Sequence, residues 1–479
     1  MIAREFRVIR FPLRACRGRP SQATKDKGEQ LIRGHSAPGL SFADLAARFL
    51  VVAAGLSLND LFSRAFGVGQ VASPGMFLAA AVLLLRLNTR ALGWPTILFL
   101  GTIASYLGLG LLFSAIHNDI ESAIPYCYMY LASAAVTLGV VNYVATTEHT
   151  EKLHSFILFT RNVYAISAAF ILASPLLEKV LDQGAYANDG RFRGLFSNPN
   201  EASYVGIFGW ILCTVFPFKD RRLQIVAASG IAAGVACTLS KGGIVVLVAL
   251  MLYQAFDLRK PKRTAIVTFL AAIGLVVIQN IQYLTMQILA QYSGVLSSSQ
   301  TIRIVQITGI LGGQINSETS TGRTVLWNLS LERFADNFPL GGGLGSFHFL
   351  VGGIGEGGVW QGAHNLYLMM LGEAGPIPLL FLLLMGGISV AKAFSLPERF
   401  RHLLLLLWIT LGLQALTSHG TLELRHILLV VALALGLTIR LAPNRLARRA
   451  SRSWQRSSLA PRSASSPTPQ AVGARAVDP

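Results

Sequence analysis

Charge is what this sequence has least of. Only 13% of its 479 residues are Asp, Glu, Lys or Arg, against 52% hydrophobic. Soluble globular chains carry about 25% charged residues, so the shortfall excludes an ordinary soluble enzyme. A mean hydropathy of +0.52 excludes a disordered chain, which needs low hydrophobicity. Acidic residues are scarcer still, 23 against 41 basic, for a net charge of +18. In a soluble protein that excess would point to nucleic acid; here its distribution decides. Cysteine is rare: Cys16, Cys127, Cys213 and Cys237 show no metal-site or disulfide spacing, and read as small packing residues. What remains is a multi-span membrane protein.

A bilayer crossing needs about 20 mostly apolar residues. Such runs lie near 45–63, 70–86, 94–116, 123–144, 154–178, 201–218, 223–240, 242–257, 264–281, 365–390, 403–418 and 426–440. The fold expected is therefore an all-α polytopic membrane protein of about twelve transmembrane helices, with a large outer loop between spans nine and ten. Residues 1–40 form a basic tail with no apolar core of a signal peptide, 41–442 the transmembrane domain, and 443–479 a second basic, disordered tail. With both ends cytoplasmic, 30 of the 41 Lys and Arg face the cytoplasm and nine face outward, as the positive-inside rule requires. The basic excess then needs no nucleic acid. The tails either lie on anionic lipid headgroups or are solvated segments that set topology.

Two outer loops are long, about 179–201 and 282–364; loops of the second length are usually functional or disordered. The second contains "TGRTVLWNLSLERFADNFPL", which reads as a helix with Thr321 as N-cap and Pro339 as its stop. A glycine-rich stretch follows, suited to tight turns or close backbone approach to a ligand. Arg191, Arg193 and Arg323 sit in these loops, on the side where the positive-inside rule disfavours them. An arginine fork matches phosphate geometry. Either these side chains hold a pyrophosphate-like anion, or they pair with Asp189, Glu201 or Glu318. Lys241 in "TLSKGG" is another candidate anion contact or a snorkelling lysine. His364, where the long loop meets span ten, titrates near neutrality and suits a general base, or is a hydrogen-bonded structural residue. Glu373 is a carboxylate inside an apolar run, where charge is costly and functional by default, unless it only pairs or bonds to backbone.

Four segments, "GRFRGLFSNPNEAS", "TLSKGG", "GRTVLWNLSLERFADNFPLGGGLGSF" and "HNLYLMMLGEAGPIPLLFLLL", resemble successive signatures of the O-antigen ligase and polymerase superfamily. The resemblance covers a core of about 185–390; the first five spans agree only in hydropathy and count. It implies a glycosyltransferase-C-like fold in the bacterial inner membrane with its active site on the periplasmic face. The implied reaction is an inverting, metal-independent and cofactor-free transfer of a glycan from an undecaprenyl-diphosphate-linked donor to an acceptor hydroxyl. That acceptor is lipid A–core in a ligase and another lipid-linked repeat in a polymerase. His364 matches the histidine of the family's His-Asn motif and would be the catalytic base. Arg191 or Arg193 matches the arginine before Gly-Leu-Phe, Arg323 the loop arginine ahead of tryptophan, and Lys241 stands where arginine is frequent; these would bind diphosphate. Asn365, Glu373 and Asn200 take supporting roles. Gly375 is in place, but Pro378 replaces a common glycine, a departure that bears on local helix geometry.

The leading expectation is an O-antigen ligase-type enzyme of cell-surface polysaccharide synthesis. Its nearest alternative is an O-antigen or exopolysaccharide polymerase of the same superfamily. From other classes, a polysaccharide-lipid transporter or flippase also has about twelve spans, but such folds are built from repeats with polar sites at mid-membrane. No repeat is visible, and the polar candidates here gather in outer loops. A third possibility is a non-catalytic partner of a glycan assembly complex.

Overall fold

The computed structural model describes residues 40–117, 120–147, 149–181, 191–255, 298–311, 323–351, 359–362 and 364–441, with positions 287 and 291. Contacts divide the chain into a short unit, Met1–Leu45, and a main unit, Ala46–Pro479. The apolar run 264–281, Thr321, Asp189, Glu318 and the body of both tails lie outside the described residues.

The described residues form α1 (Phe42–Gly55), α2 (Leu58–Phe66), α3 (Ser73–Leu84), α4 (Trp94–Ile116), α5 (Ile120–Thr146), α6 (Thr150–Leu172), α7 (Ser174–Leu181) and α8 (Pro199–Val215). Next come α9 (Arg221–Cys237), α10 (Lys241–Ala255), α11 (Ser298–Leu311) and α12 (Arg323–Asp336). A short antiparallel hairpin, β1 (His348–Val351) with β2 (Val359–Gly362), precedes α13 (Leu366–Ala374), α14 (Pro376–Ala393), α15 (Glu398–Thr417) and α16 (Arg425–Leu441). Every apolar run within the described residues carries helix. Among the described residues, five helices (α4, the greater part of α5, α6, α14 and α15) are long and apolar enough to cross a bilayer, or six with the bent pair α1–α2. The protein is thus a helical membrane protein.

Two runs expected as single spans break at a residue of positive φ. The first bends by 53° between α1 and α2, at Ser57, whose φ is 47°. The run 365–390 splits at Gly375, whose φ of 74° ends α13 and starts α14. Pro376 opens α14 and Pro378 lies in the same first turn, where N–H groups lack intrahelical partners and proline costs little. The proline at 378 therefore leaves α14 regular, and the glycine before it makes the break.

Burial ranks the helices. In α16 every residue from His426 to Thr438 is buried, and in α8 every residue from Ala202 to Cys213, the mark of helices apolar all round at the centre of a bundle. Gly436 lets α16 approach α5: a Cβ there would come within 2.6 Å of Val144, the small-residue packing that replaces hydrophobic drive in lipid. On α14, Leu380, Leu383 and Leu384 are exposed, an outward apolar face suited to acyl chains.

Candidate active site

The site is built at one end of the bundle, where several helices begin. "SNPNEAS" starts α8 because Asn198 N-caps it, accepting from the Asn200 amide at 2.8 Å, and Pro199 occupies the first helical position. Asn caps and N-terminal prolines favour such a start. The "TLSKGG" turn ends α9 and starts α10, with Leu239 at φ 49°. Gly242 fits beneath Tyr204 and Thr417: a Cβ there would lie 3.2 Å from the Tyr204 hydroxyl and 3.4 Å from Thr417 Oγ1. The amino end of α10 can thereby sit against α8, its positive dipole end beside the cavity described next.

A cavity of about 160 Å³ lies at this end, lined by Asn198, Asn200, Tyr204, Ser240, Gly242, Arg323, His364, Gln414, Thr417 and His419 among others. His364 and Arg323, 41 positions apart in the sequence, thus line one cavity.

 His364 is held at φ 49°, a left-handed conformation uncommon outside glycine and found where the surroundings over-determine the backbone. Asn365 beside it caps α13, accepting from the amides of Tyr367 at 3.0 Å and Leu368 at 3.1 Å. The His364 ring lies against that of His419, with centroids 5.2 Å apart.

Arg323, Glu201 and Glu423 line this cavity, and further cations lie near it. Arg191 is buried; its Nε donates to the Thr238 carbonyl at 3.0 Å and its Nη2 to Asn200 Oδ1 at 3.0 Å, tying the α9–α10 turn to the first turn of α8. Arg193 turns elsewhere, with its Nε 3.6 Å from Glu178 Oε1 on α7. The arginine doublet that the sequence left open is thus split, and Arg191 is the member joined to a cavity-lining residue. Burial, then the charges of Arg303, Arg323 and Arg191, push Lys241 down to about 8. Burial also lowers Arg323, though a guanidinium keeps its charge in proteins. Burial, reinforced by the Arg323 charge, pushes His364 down to about 4. At neutral pH the imidazole is therefore uncharged and has a nitrogen able to accept a proton, beside cations that favour an anionic ligand.

Glu373 does not line the cavity. It is buried and accepts a short hydrogen bond from the Tyr106 hydroxyl and one from the Phe347 amide at 3.4 Å. The glycine-rich loop is strapped to the same place, since Gly342 N–H donates to the Gly372 carbonyl at 2.7 Å and Gly343 N–H to the Glu373 carbonyl at 3.0 Å. The Glu373 side chain thus bonds to α4 and to the glycine-rich loop. Arg303, Tyr204, Gln414, His419 and Glu423 were not singled out from sequence. Arg303 was visible only as one more outward cation, and the others lie in or beside apolar runs with no motif to mark them.

The described helices thus form an apolar bundle with an arginine- and histidine-bearing cavity at one end. Residues 225–384 match the family model described as O-Antigen ligase, and this match supports membership of the O-antigen ligase/polymerase superfamily. It takes in Lys241, Arg323, His364, Asn365 and Glu373 and stops short of Arg191, Arg193 and Asn200. No curated protein matches the chain.

Proposed function

We propose that the protein transfers a glycan from an undecaprenyl-diphosphate carrier to an acceptor hydroxyl, as an O-antigen ligase-type enzyme of the bacterial inner membrane. The observation that carries this reading is the meeting of His364 and Arg323 in one cavity, with Arg191 bonded to Asn200 on its lining. The periplasmic placement of that cavity, with both termini cytoplasmic, is supported by the distribution of Lys and Arg along the chain.

In this reaction the acceptor oxygen bonds to the anomeric carbon as the bond from that carbon to the diphosphate oxygen breaks. The electron pair leaves with the carrier diphosphate, and the hydroxyl proton passes to His364. Arg191, Arg323 and Lys241 hold the diphosphate and stabilise the charge that grows on it, as preorganised donors do in a water-poor site. Attack opposite the leaving group inverts the anomeric centre. A general base contributes about 10²–10⁴-fold, so His364→Ala is expected to lower transfer by that order.

The test is an electrophoretic profile of surface and lipid-linked glycans. A strain lacking the gene would carry wild type, His364→Ala or Arg323→Ala at matched levels. The expected result is that both variants behave as the null. Wild-type ladders from both would overturn the reading. In the null, long chains stranded on the carrier mean ligase, and single repeats mean polymerase.

A further inference from the structure

The end of the bundle remote from His364 has an opening of its own. From its start at the His364 cavity, α8 runs 17 residues to Val215. That is a rise of about 25 Å at 1.5 Å per residue, close to the depth of a bilayer's hydrocarbon core, about 30 Å. Phe216, which follows α8, lies against His154 in the second turn of α6, with ring centroids 5.9 Å apart. A groove of about 600 Å³ opens beside that histidine, lined by Arg48 of α1 and by Thr150, Glu151, His154, Ser155 and Phe159 of α6, among others.

Arg48 reaches across from α1. Its Nη2 donates to Ser155 Oγ at 3.0 Å, and its guanidinium carbon lies 4.9 Å from the centroid of the Phe159 ring. Its Nε is buried and has no hydrogen-bond partner among the described residues. The next guanidinium along α6 is committed elsewhere. Arg161 donates through Nη1 to the Phe216 carbonyl at 2.8 Å, and through Nε and Nη2 to Asn162 Oδ1 at 3.1 and 2.8 Å. Glu151 is exposed, and among the described residues no ion pair joins it to Arg48. A cation and an anion thus line one groove without neutralising each other.

Spacing along α6 gives these groups an order. Helical residues three or four apart lie one above another on the same face, so Glu151, Ser155, Phe159, Asn162 and Ile166 form a single file. Read inward from the start of the helix, it presents a carboxylate, a hydroxyl held by arginine, an aromatic ring and an exposed isoleucine, Ile166. The file therefore passes from charged to apolar over about 22 Å, the rise of fifteen residues. A phospholipid with an ethanolamine head has the same order: an ammonium outermost, a phosphate across a two-carbon bridge, and then acyl chains.

We propose that this groove binds a phosphoethanolamine-headed phospholipid of the leaflet opposite the His364 cavity. Arg48 and the Ser155 hydroxyl hold the phosphate, Glu151 takes the ammonium, and an acyl chain runs along Phe159 and Ile166. Basic pockets between transmembrane helices take phospholipid headgroups, and an arginine stem lying along apolar surface with its charge at headgroup level is the snorkelling arrangement. Arg48 alone would accept any phospholipid phosphate. Glu151 makes the site selective, because an anionic glycerol headgroup offers the carboxylate no cation and is repelled by it. The site goes beyond the transferase reading and stands without it.

The experiment is a native mass-spectrometry titration of the full chain, purified in detergent, with dioleoyl phosphatidylethanolamine or dioleoyl phosphatidylglycerol. Wild type is expected to bind its first ethanolamine lipid about tenfold more tightly than the glycerol lipid, the scale of one charge-assisted hydrogen bond. Glu151→Gln is expected to abolish that preference, and Arg48→Gln to weaken binding of both lipids about tenfold. Glu151 is exposed, so its isosteric replacement spares the fold and decides the matter by itself where Arg48→Gln does not fold. Glu121→Gln, in the first turn of α5, is expected to change neither affinity. Equal binding of the two lipids by wild type, a preference that survives Glu151→Gln, or one lost equally in Glu121→Gln would overturn the inference. Glycerophosphoethanolamine, the same head without acyl chains, is expected not to compete at equal concentration; competition would overturn a lipid as the occupant.

Discussion

At the residue scale, the histidine and its cations act on each other. Burial and the Arg323 charge disfavour imidazolium, so His364 is neutral above about 4 and protonated only below it. A base that must be neutral is competent above its folded pKa and lost as pH falls through it. In the free enzyme, which kcat/KM reports, the acid limb attributable to His364 is expected near 4 instead of about 6.5. A bound diphosphate would offset Arg323 and raise that value, so the limb in kcat should lie higher; a pH-rate series on purified protein checks both. Coincident limbs at the ordinary histidine value would remove His364 as the base. The split arginines give a second prediction. Arg191→Ala is expected to lower turnover about 10²–10³-fold, the loss seen when one preorganised donor is removed. Arg193→Ala should instead lower the melting temperature, because its Nε faces Glu178 on α7.

At the element scale, glycines decide where the outer loop can lie. Gly341 and Gly343 have φ of 83° and 93°, and a Cβ on either would come within 2.8 Å of backbone, at Glu373 and Ser114 respectively. A left-handed residue with a Cβ costs roughly 1–2 kcal/mol before any clash. Gly343→Ala is therefore expected to free the loop from α4 and α13, seen as faster proteolysis between α12 and α13 in nanodiscs. Glu373→Ala removes the acceptor for Tyr106 and the Phe347 amide. It should destabilise the fold by about 1–3 kcal/mol, measurable as a lowered melting temperature, while Glu373→Gln, which keeps an accepting oxygen, loses less. A catalytic Glu373 would show the opposite pattern, with stability kept and turnover lost in both.

At the scale of the whole molecule, topology carries the assignment. In a cysteine-free background, Asp336→Cys at the end of α12 is expected to react with an impermeant maleimide from outside the cell. Ser395→Cys, between α14 and α15, should react only after permeabilisation. Labelling of residue 336 from the cytoplasm alone would overturn the periplasmic site. The His364 cavity lies at this end of the bundle because α8 and α10 both begin there.

Hydropathy alone determined that this is a membrane protein, because the cost of exposing apolar surface to water is additive and local. Residue type and place in the outer loops, together with the family resemblance, marked His364, Arg323 and Lys241. The tertiary structure alone separated Arg191 from Arg193, two residues apart in an irregular loop where no periodicity tells which side chain turns inward. It also broke the run 365–390 at Gly375, since hydropathy averages over a window and is blind to a single φ. Gln414 and Glu423 became visible only there. Each sits within or beside an apolar stretch, and only the packing of separate helices turns such a residue from a buried polar group into the wall of a cavity.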